Sequence, residues 1–316
     1  MSREVLPHDA RPPSALSDRV KAIALMMLAV AMFSALDSTA KYLVTREHLP
    51  VAEVAWSRFI GQFLGLLLMV PALGLMTVRQ LFTTNVPKLQ LVRSVLMMAT
   101  TALNFMALVY LRLDQTITIV FLAPLVVALL AGPLLGEWVG WRRMTAIVAG
   151  FVGVMIAMHP DASGLHPAVI YSFAAMLAYA LFMILTRHMA TFDPPIVTLF
   201  YSMFVGTFLG APFALADWQM PSGALSWILL ASLGLMGGTG HWLFLHAYRL
   251  APASSVAPFL YTQLLTMVAF GYLVFGDVPD AWTLTGATVV VASGIYLFHR
   301  EQVTQRERRM ARRPGN

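Results

Sequence analysis

The chain has 316 residues, 59% of them apolar and 11% charged, with a mean hydropathy of +0.73. Soluble domains are usually about 45–50% apolar and 25% charged, so too little polar surface is available here and the composition is that of an integral membrane protein. The lack of cysteine excludes disulfides, thiolate nucleophiles and Cys-based metal centres, and the net charge of +6 sits mostly in the tails, where it sets orientation rather than binding nucleic acid.

The first 18 residues are polar and Pro-containing, with no apolar stretch of the kind a signal peptide carries, and read as a short tail before the first span. A span needs about 20 predominantly apolar residues. Ten candidates follow in order: 20–44, 51–76, 90–111, 115–135, 143–159, 166–189, 195–216, 223–249, 253–275 and 281–299. All should be helices, because the bilayer core offers open backbone groups no other partner. The longest connection, Thr77 to Lys88, leaves no room for a soluble domain. With the N-terminus in the cytoplasm, 17 of the 21 Lys and Arg residues fall on the cytoplasmic side. The expectation is a multi-pass protein of the cell inner membrane with both termini cytoplasmic.

Residues 50–65 and 195–210 share a pattern. Pro50/Pro195, Ser57/Ser202, Phe59/Phe204, Gly61/Gly206, Phe63/Phe208, Leu64/Leu209 and Gly65/Gly210 match, and Trp56 faces Tyr201. Gly136–Glu137 matches Gly276–Asp277 and Ala107 matches Ala247, both 140 residues apart. The chain therefore reads as two copies of a five-helix unit. Five is odd, so the second copy enters the membrane from the opposite side, an inverted-topology repeat of the secondary-transporter kind. The expected organisation is a cytoplasmic tail over 1–19, one repeat over 20–159, the other over 166–299, and a basic cytoplasmic tail over 300–316.

Several stretches resemble the drug/metabolite transporter superfamily, in particular its EamA-type ten-helix carriers: Phe33 to Leu43, the WSRF run ending at Phe59, Phe121 to Glu137, Gly240 to Leu265, and Phe275 to Asp280. The resemblance covers about Lys21 to Phe298. It implies a cavity near the midplane, lined by inner helices of both halves and open alternately to each side. Family members carry amino acids, nucleotide sugars, riboflavin or S-adenosylmethionine, and the LDSTAKYL and WSRF segments look like vitamin- or cofactor-type carriers.

Ionisable residues at membrane depth are functional candidates by default. Asp37 and Lys41 lie four apart on span 1 and share a face; Glu53 and Arg58 lie on span 2. Counted from the hairpin, Asp37 and Arg58 are level, about 10 Å in at 1.5 Å per residue, and Lys41 and Glu53 are level nearer the surface. A ladder of two ion pairs is expected, absent from the second copy, where Met203 and Thr198 replace Arg58 and Glu53. It could serve as substrate contact, proton site, outer gate, or simply a satisfied pair between two helices. Glu137 and Asp277 each follow Gly at a span end and read as boundary residues.

The pocket candidates are Asn104, Thr116, Thr118, His241, Trp242, His246, Tyr261 and Gln263, whose rings and polar groups suit a flat or aromatic solute. His241 and His246 lack a third ligand, so no metal is expected. Pro124 and Pro258 fall inside spans 4 and 9 and are expected to bend them as hinges. The function expected is a secondary transporter moving a small organic metabolite by alternating access, with riboflavin or S-adenosylmethionine uptake first and export of aromatic or other amino acids second. An integral-membrane enzyme would want an acidic or His cluster at one face, and a pump a GxxxxGK[ST] loop; a purely structural membrane protein is the third class. No cofactor is expected. The partners expected are the solute, the lipid bilayer and a coupling proton, with the chain as monomer or homodimer.

Overall fold

The computed structural model describes residues 16–135, 140–159, 166–189, 192–251 and 256–311. Glu137 and the first 15 residues lie outside them. Among the described residues every regular element is helical. In order these are α1 (Leu16–Thr45), α2 (Val51–Ala72), the one-turn α3 (Val78–Leu81), α4 (Pro87–Tyr110), α5 (Leu113–Val120), α6 (Ala123–Leu135), α7 (Trp141–Met158), α8 (Val169–Met189), α9 (Pro195–Ala216) and α10 (Ala224–Leu250). A 3-10 segment (Ala257–Thr262), α11 (Gln263–Phe270) and a π-helical turn (Gly271–Phe275) then run on as one span, and α12 (Ala281–Ala311) closes the chain. Nine stretches among the described residues are long and apolar enough to cross a membrane, and the apolar Met144–Met158 of α7 is the shorter tenth. The fold is an all-helical membrane bundle of ten spans in two inverted five-helix repeats.

The repeat is visible in the packing. Exchanging the halves converts α1 against α10 into α8 against α4, and α2 against α10 into α9 against α4; α2–α9 and α7–α12 map onto themselves. The matched residues do matched work. Trp56 Nε1 donates to Thr207 O at 2.8 Å and its counterpart Tyr201 donates to Phe82 O at 2.9 Å, both across the two halves. Pro50 caps α2 and Pro195 opens α9, where a proline lacks only a donor the helix end would leave unpaired.

Lipid tails are as apolar as the side chains, so helix association rests on close packing. At the α2–α10 crossing, a Cβ on Gly234 would stand 2.5 Å from Gly61 Cα. At the α7–α12 crossing, a Cβ on Gly286 would stand 2.3 Å from Ala157 N. Backbone meets backbone at both points, and only glycine permits it.

Of the two hinge prolines, Pro258 departs from expectation. Span 4 is interrupted at Phe121–Leu122, directly before Pro124, and restarts as α6. Pro258 does not sit inside a continuous helix: it occupies the first turn of the 3-10 segment, where its missing N–H costs nothing. Span 9 instead changes its winding at Gln263 and again at Gly271, and such π turns frequently accompany functional sites. Gly276, at φ +74°, terminates it in a left-handed cap. Finally, α12 continues as helix beyond 299 to Ala311.

Candidate functional site

Between the halves lies a cavity of about 450 Å³, walled by α1, α2, α4, α5, α6, α8, α10, span 9 and α12. That is within the usual range for small-molecule sites. The face on which α1 begins is the N-terminal face. The cavity reaches toward it through Tyr248, Pro258 and Phe298. Toward the opposite face it ends beneath a layer of polar contacts.

Asp37, Arg58, Asn104, Tyr261 and Gln263 all line this cavity, as do Pro124 and Pro258. Asn104 Nδ2 donates to Asp37 Oδ1 at 3.2 Å, and Arg58 Nη1 donates to Thr101 Oγ1 at 3.1 Å. Arg58 is 8% exposed, and its Nε is buried with no hydrogen-bond partner. Tyr261 meets Phe121 edge-on at 4.9 Å, and its phenol oxygen lies where a Cβ on Gly294 would have to go. Glycine at 294 is therefore what lets this ring take its position.

The expected ladder does not form. Lys41 is bonded to Leu111 O at 2.8 Å and lies 3.6 Å from Asp277 Oδ2 and 5.0 Å from the centre of the Phe275 ring. Glu53 is fully buried and accepts from the backbone N of Gln219 at 3.0 Å. Equal depth did not mean equal face. Asp37 and Lys41, four apart, differ by about 40° around α1, whereas Glu53 and Arg58, five apart, differ by about 140° around α2. One helix cannot offer both to the same neighbour. Nor are Asp37 and Arg58 an ion pair within 4 Å; each is held by a neutral side chain. Asp277 reaches out of its own helix end to the other half, beyond the boundary role expected of it.

Trp242 and His246 are a second correction. Their rings pack together at 4.1 Å, Trp242 is 53% exposed, and neither lines the cavity. Of the three residues expected from α10, only His241 lines it, joined by Tyr248, which was not expected. They are seven residues apart and share a face of α10, while Trp242 is about 100° round from it. His241 packs edge-on against Phe33 at 5.0 Å, and its Nδ1 lies 2.8 Å from Gly237 O. Tyr179, Phe121, Thr100 and Thr101 complete the wall; Thr101 was signalled only by its spacing of three from Asn104. Thr116 lines the cavity, while Thr118 is buried and donates to Asp114 O.

Each mouth carries a clasp. At the face away from the N-terminus, Glu47 accepts from Ser226 at 2.7 Å and Ser222 at 2.9 Å. These bonds hold its carboxylate below the ordinary range. At the N-terminal face, Asp193 accepts from the Asn85 backbone, from Gln90 and from the Thr84 hydroxyl. Burial alone would push Asp193 up; the hydrogen bonds outweigh it and hold the group below its usual value.

A family model described as the EamA-like transporter family matches residues 20–158 and again 166–299. The chain is similar to the riboflavin transporter of Vibrio cholerae, at 30% identity over 295 residues, 93% of this chain and 96% of that one. It is also similar to the S-adenosylmethionine uptake transporter of Rickettsia conorii, at 28% over 288 residues, 91% and 96% of the two chains. A solved crystal structure, 15% identical, shares the fold with a TM-score of 0.59 over 90% of this chain and 99% of the other.

Proposed function

The chain belongs to the EamA-like transporter family, and we propose that it moves a flat, partly aromatic, polar metabolite of vitamin or cofactor type across the bacterial inner membrane, with riboflavin or S-adenosylmethionine as the leading solutes. The observation that carries this reading is the cavity: it is walled by both halves, lined by the rings of Phe33, Phe121, Tyr179, Tyr248 and Tyr261, and holds a carboxylate and a guanidinium at depth. The relatives that bear the names of those two solutes match over nearly their whole length and support the choice.

The mechanism is alternating access between the two five-helix halves. The N-terminal face is the cytoplasmic one, and both termini lie there. Lys41, Leu111, Asp277 and Phe275 then close the outer mouth, and the clasp at Asp193 ties the inner one. Solute passes unchanged, without enzymatic turnover, and a proton gradient drives net flow. Ten spans make a complete pathway, so one chain suffices whether or not two associate. Export of an aromatic amino acid uses the same cavity with the flow reversed.

The test is uptake of radiolabelled riboflavin, S-adenosylmethionine and tryptophan into proteoliposomes, with and without an imposed proton gradient. Saturable uptake of one solute, displaced by excess unlabelled solute, is expected. A folded, correctly inserted protein that moves none of the three would refute the choice of solute.

A further inference from the structure

Two charged side chains face the cavity among its described lining residues, one of each sign. Charges at membrane depth are costly, and the inexpensive arrangement is to pair them with each other. Here each is propped by a neutral group: Asp37 by Asn104, Arg58 by Thr101. The props orient the two groups, which attract each other across the cavity wall but do not meet as an ion pair within 4 Å. Arg58 is more than nine-tenths buried and keeps an Nε with no hydrogen-bond partner. Its guanidinium retains the donors that a carboxylate takes up in fork geometry. Asp37 keeps Oδ2 beside an Oδ1 that accepts a single amide hydrogen bond. Beyond these two groups the wall is aromatic, with Phe33, Phe121, Tyr179 and Tyr261 around them.

We propose that Asp37 and Arg58 form a zwitterion subsite, Asp37 taking the ammonium and Arg58 the carboxylate of a solute with an α-amino-acid head and an aromatic body. The inference rests on the carrier reading above and narrows it. A solute of this kind brings its own opposite charges, so binding gives both buried groups a charged partner at once. A neutral flavin with hydroxyls in place of a head leaves both unpaired. A carboxylic acid without an amine, or an amine without an acid, satisfies one group and strands the other. The subsite is asymmetric in a symmetric scaffold: Met203 stands where the repeat would place a second Arg58. The head therefore has one fixed orientation, toward α1 and α2, with the ring directed toward span 9 and α8.

The experiment uses the wild-type chain first, so nothing depends on a variant folding. Ligand-induced thermal stabilisation in micelles, and inhibition of uptake in proteoliposomes, are measured with two matched sets. One set is tryptophan, tryptamine and indole-3-propionate; the other is S-adenosylmethionine, S-adenosylhomocysteine and 5′-methylthioadenosine, with riboflavin alongside. Compounds with an intact head are expected to act at concentrations on the order of 100-fold lower than their trimmed partners, because removing one side of a buried charge contact strands the other. Arg58→Lys is expected to keep part of the preference for the acid, Arg58→Gln to abolish it, and Asp37→Asn to abolish the preference for the amine. Saturable riboflavin uptake that headed compounds do not inhibit overturns the subsite and leaves the carrier intact. Equal action of headed and trimmed compounds overturns it too. Absence of binding and uptake for every probe by a folded protein overturns both readings.

Discussion

Replacing Lys41 by Met removes the ammonium that joins three segments at the mouth away from the N-terminus. The pair with Asp277 spans 3.6 Å, and the two side chains are 11% and 26% exposed. At an effective dielectric of about 20, Coulomb attraction at that separation is about 5 kcal/mol before desolvation. Desolvation offsets much of it. Removing one partner, however, strands a carboxylate whose Oδ2 has no hydrogen-bond partner and also frees the Leu111 carbonyl. A net cost of about 2 kcal/mol is reasonable for a pair so near the rim, below the 3–5 kcal/mol typical of fully buried pairs. Lys41 and Asp277 belong to different halves, so the whole cost falls on the state in which this mouth is shut. The balance between states should move about 30-fold toward the open one. The chain has no cysteine, so a single Thr116→Cys on the cavity wall can be labelled without background. Its reaction with a membrane-impermeant thiol reagent added on the side away from the N-terminus should speed up by at least tenfold in Lys41→Met and in Asp277→Asn. The double variant should gain little beyond either single one, because the two act through one contact. Unchanged or slower labelling in both single variants would refute the argument.

Arg58→Met, which installs the residue of the second repeat, should abolish saturable uptake while leaving insertion and monodispersity intact; normal uptake would remove Arg58 from the solute path. Gly286→Leu should lower the melting temperature and cost on the order of 1–3 kcal/mol, since its Cβ would sit 2.3 Å from Ala157 N and both backbones must part; an unchanged melt would show that the crossing yields freely. Asp193 is held below its ordinary range, so its contribution to stability is present above the unfolded value of about 3.9 and is lost as the pH falls through the lower folded value. Wild type should therefore lose melting temperature on acidification below about pH 4, and Asp193→Asn should lose less over that interval, having already forfeited the contribution; parallel curves would sink the assignment.

Much of this architecture is written in local chemistry. The spans are legible because about 20 apolar residues admit one solution in lipid, and the repeat because Ser57/Ser202 and Gly61/Gly206 recur at one offset. Asp37, Asn104 and Tyr261 could be placed on the cavity wall from polarity and depth. Rotational phase was harder. One residue is 100° of helix face, enough to set the exposed Trp242 apart from the cavity-lining His241, and polarity alone did not separate the two. Partners across the repeats were harder still. Lys41 and Asp277 are 236 positions apart, and no periodicity connects them; only the packing of α1 beside span 9 does. The break at Phe121–Leu122 was signalled by Pro124, whereas the π turn at Gly271–Phe275 has no comparable mark in the sequence.

The contact of Gly61 with Gly234 also has a mechanical meaning. Two helices whose backbones touch at a point cannot slide closer, yet they can turn about that point like the blades of scissors. Gly234 lies ten residues from the start of α10, a lever arm of about 15 Å at 1.5 Å per residue. A turn of about 10° there moves the end of the helix by about 2.6 Å, using the same 1.5 Å rise. Adding a single methyl at either glycine would displace the fulcrum, so the stroke at both ends of the molecule is set by two hydrogens near its middle.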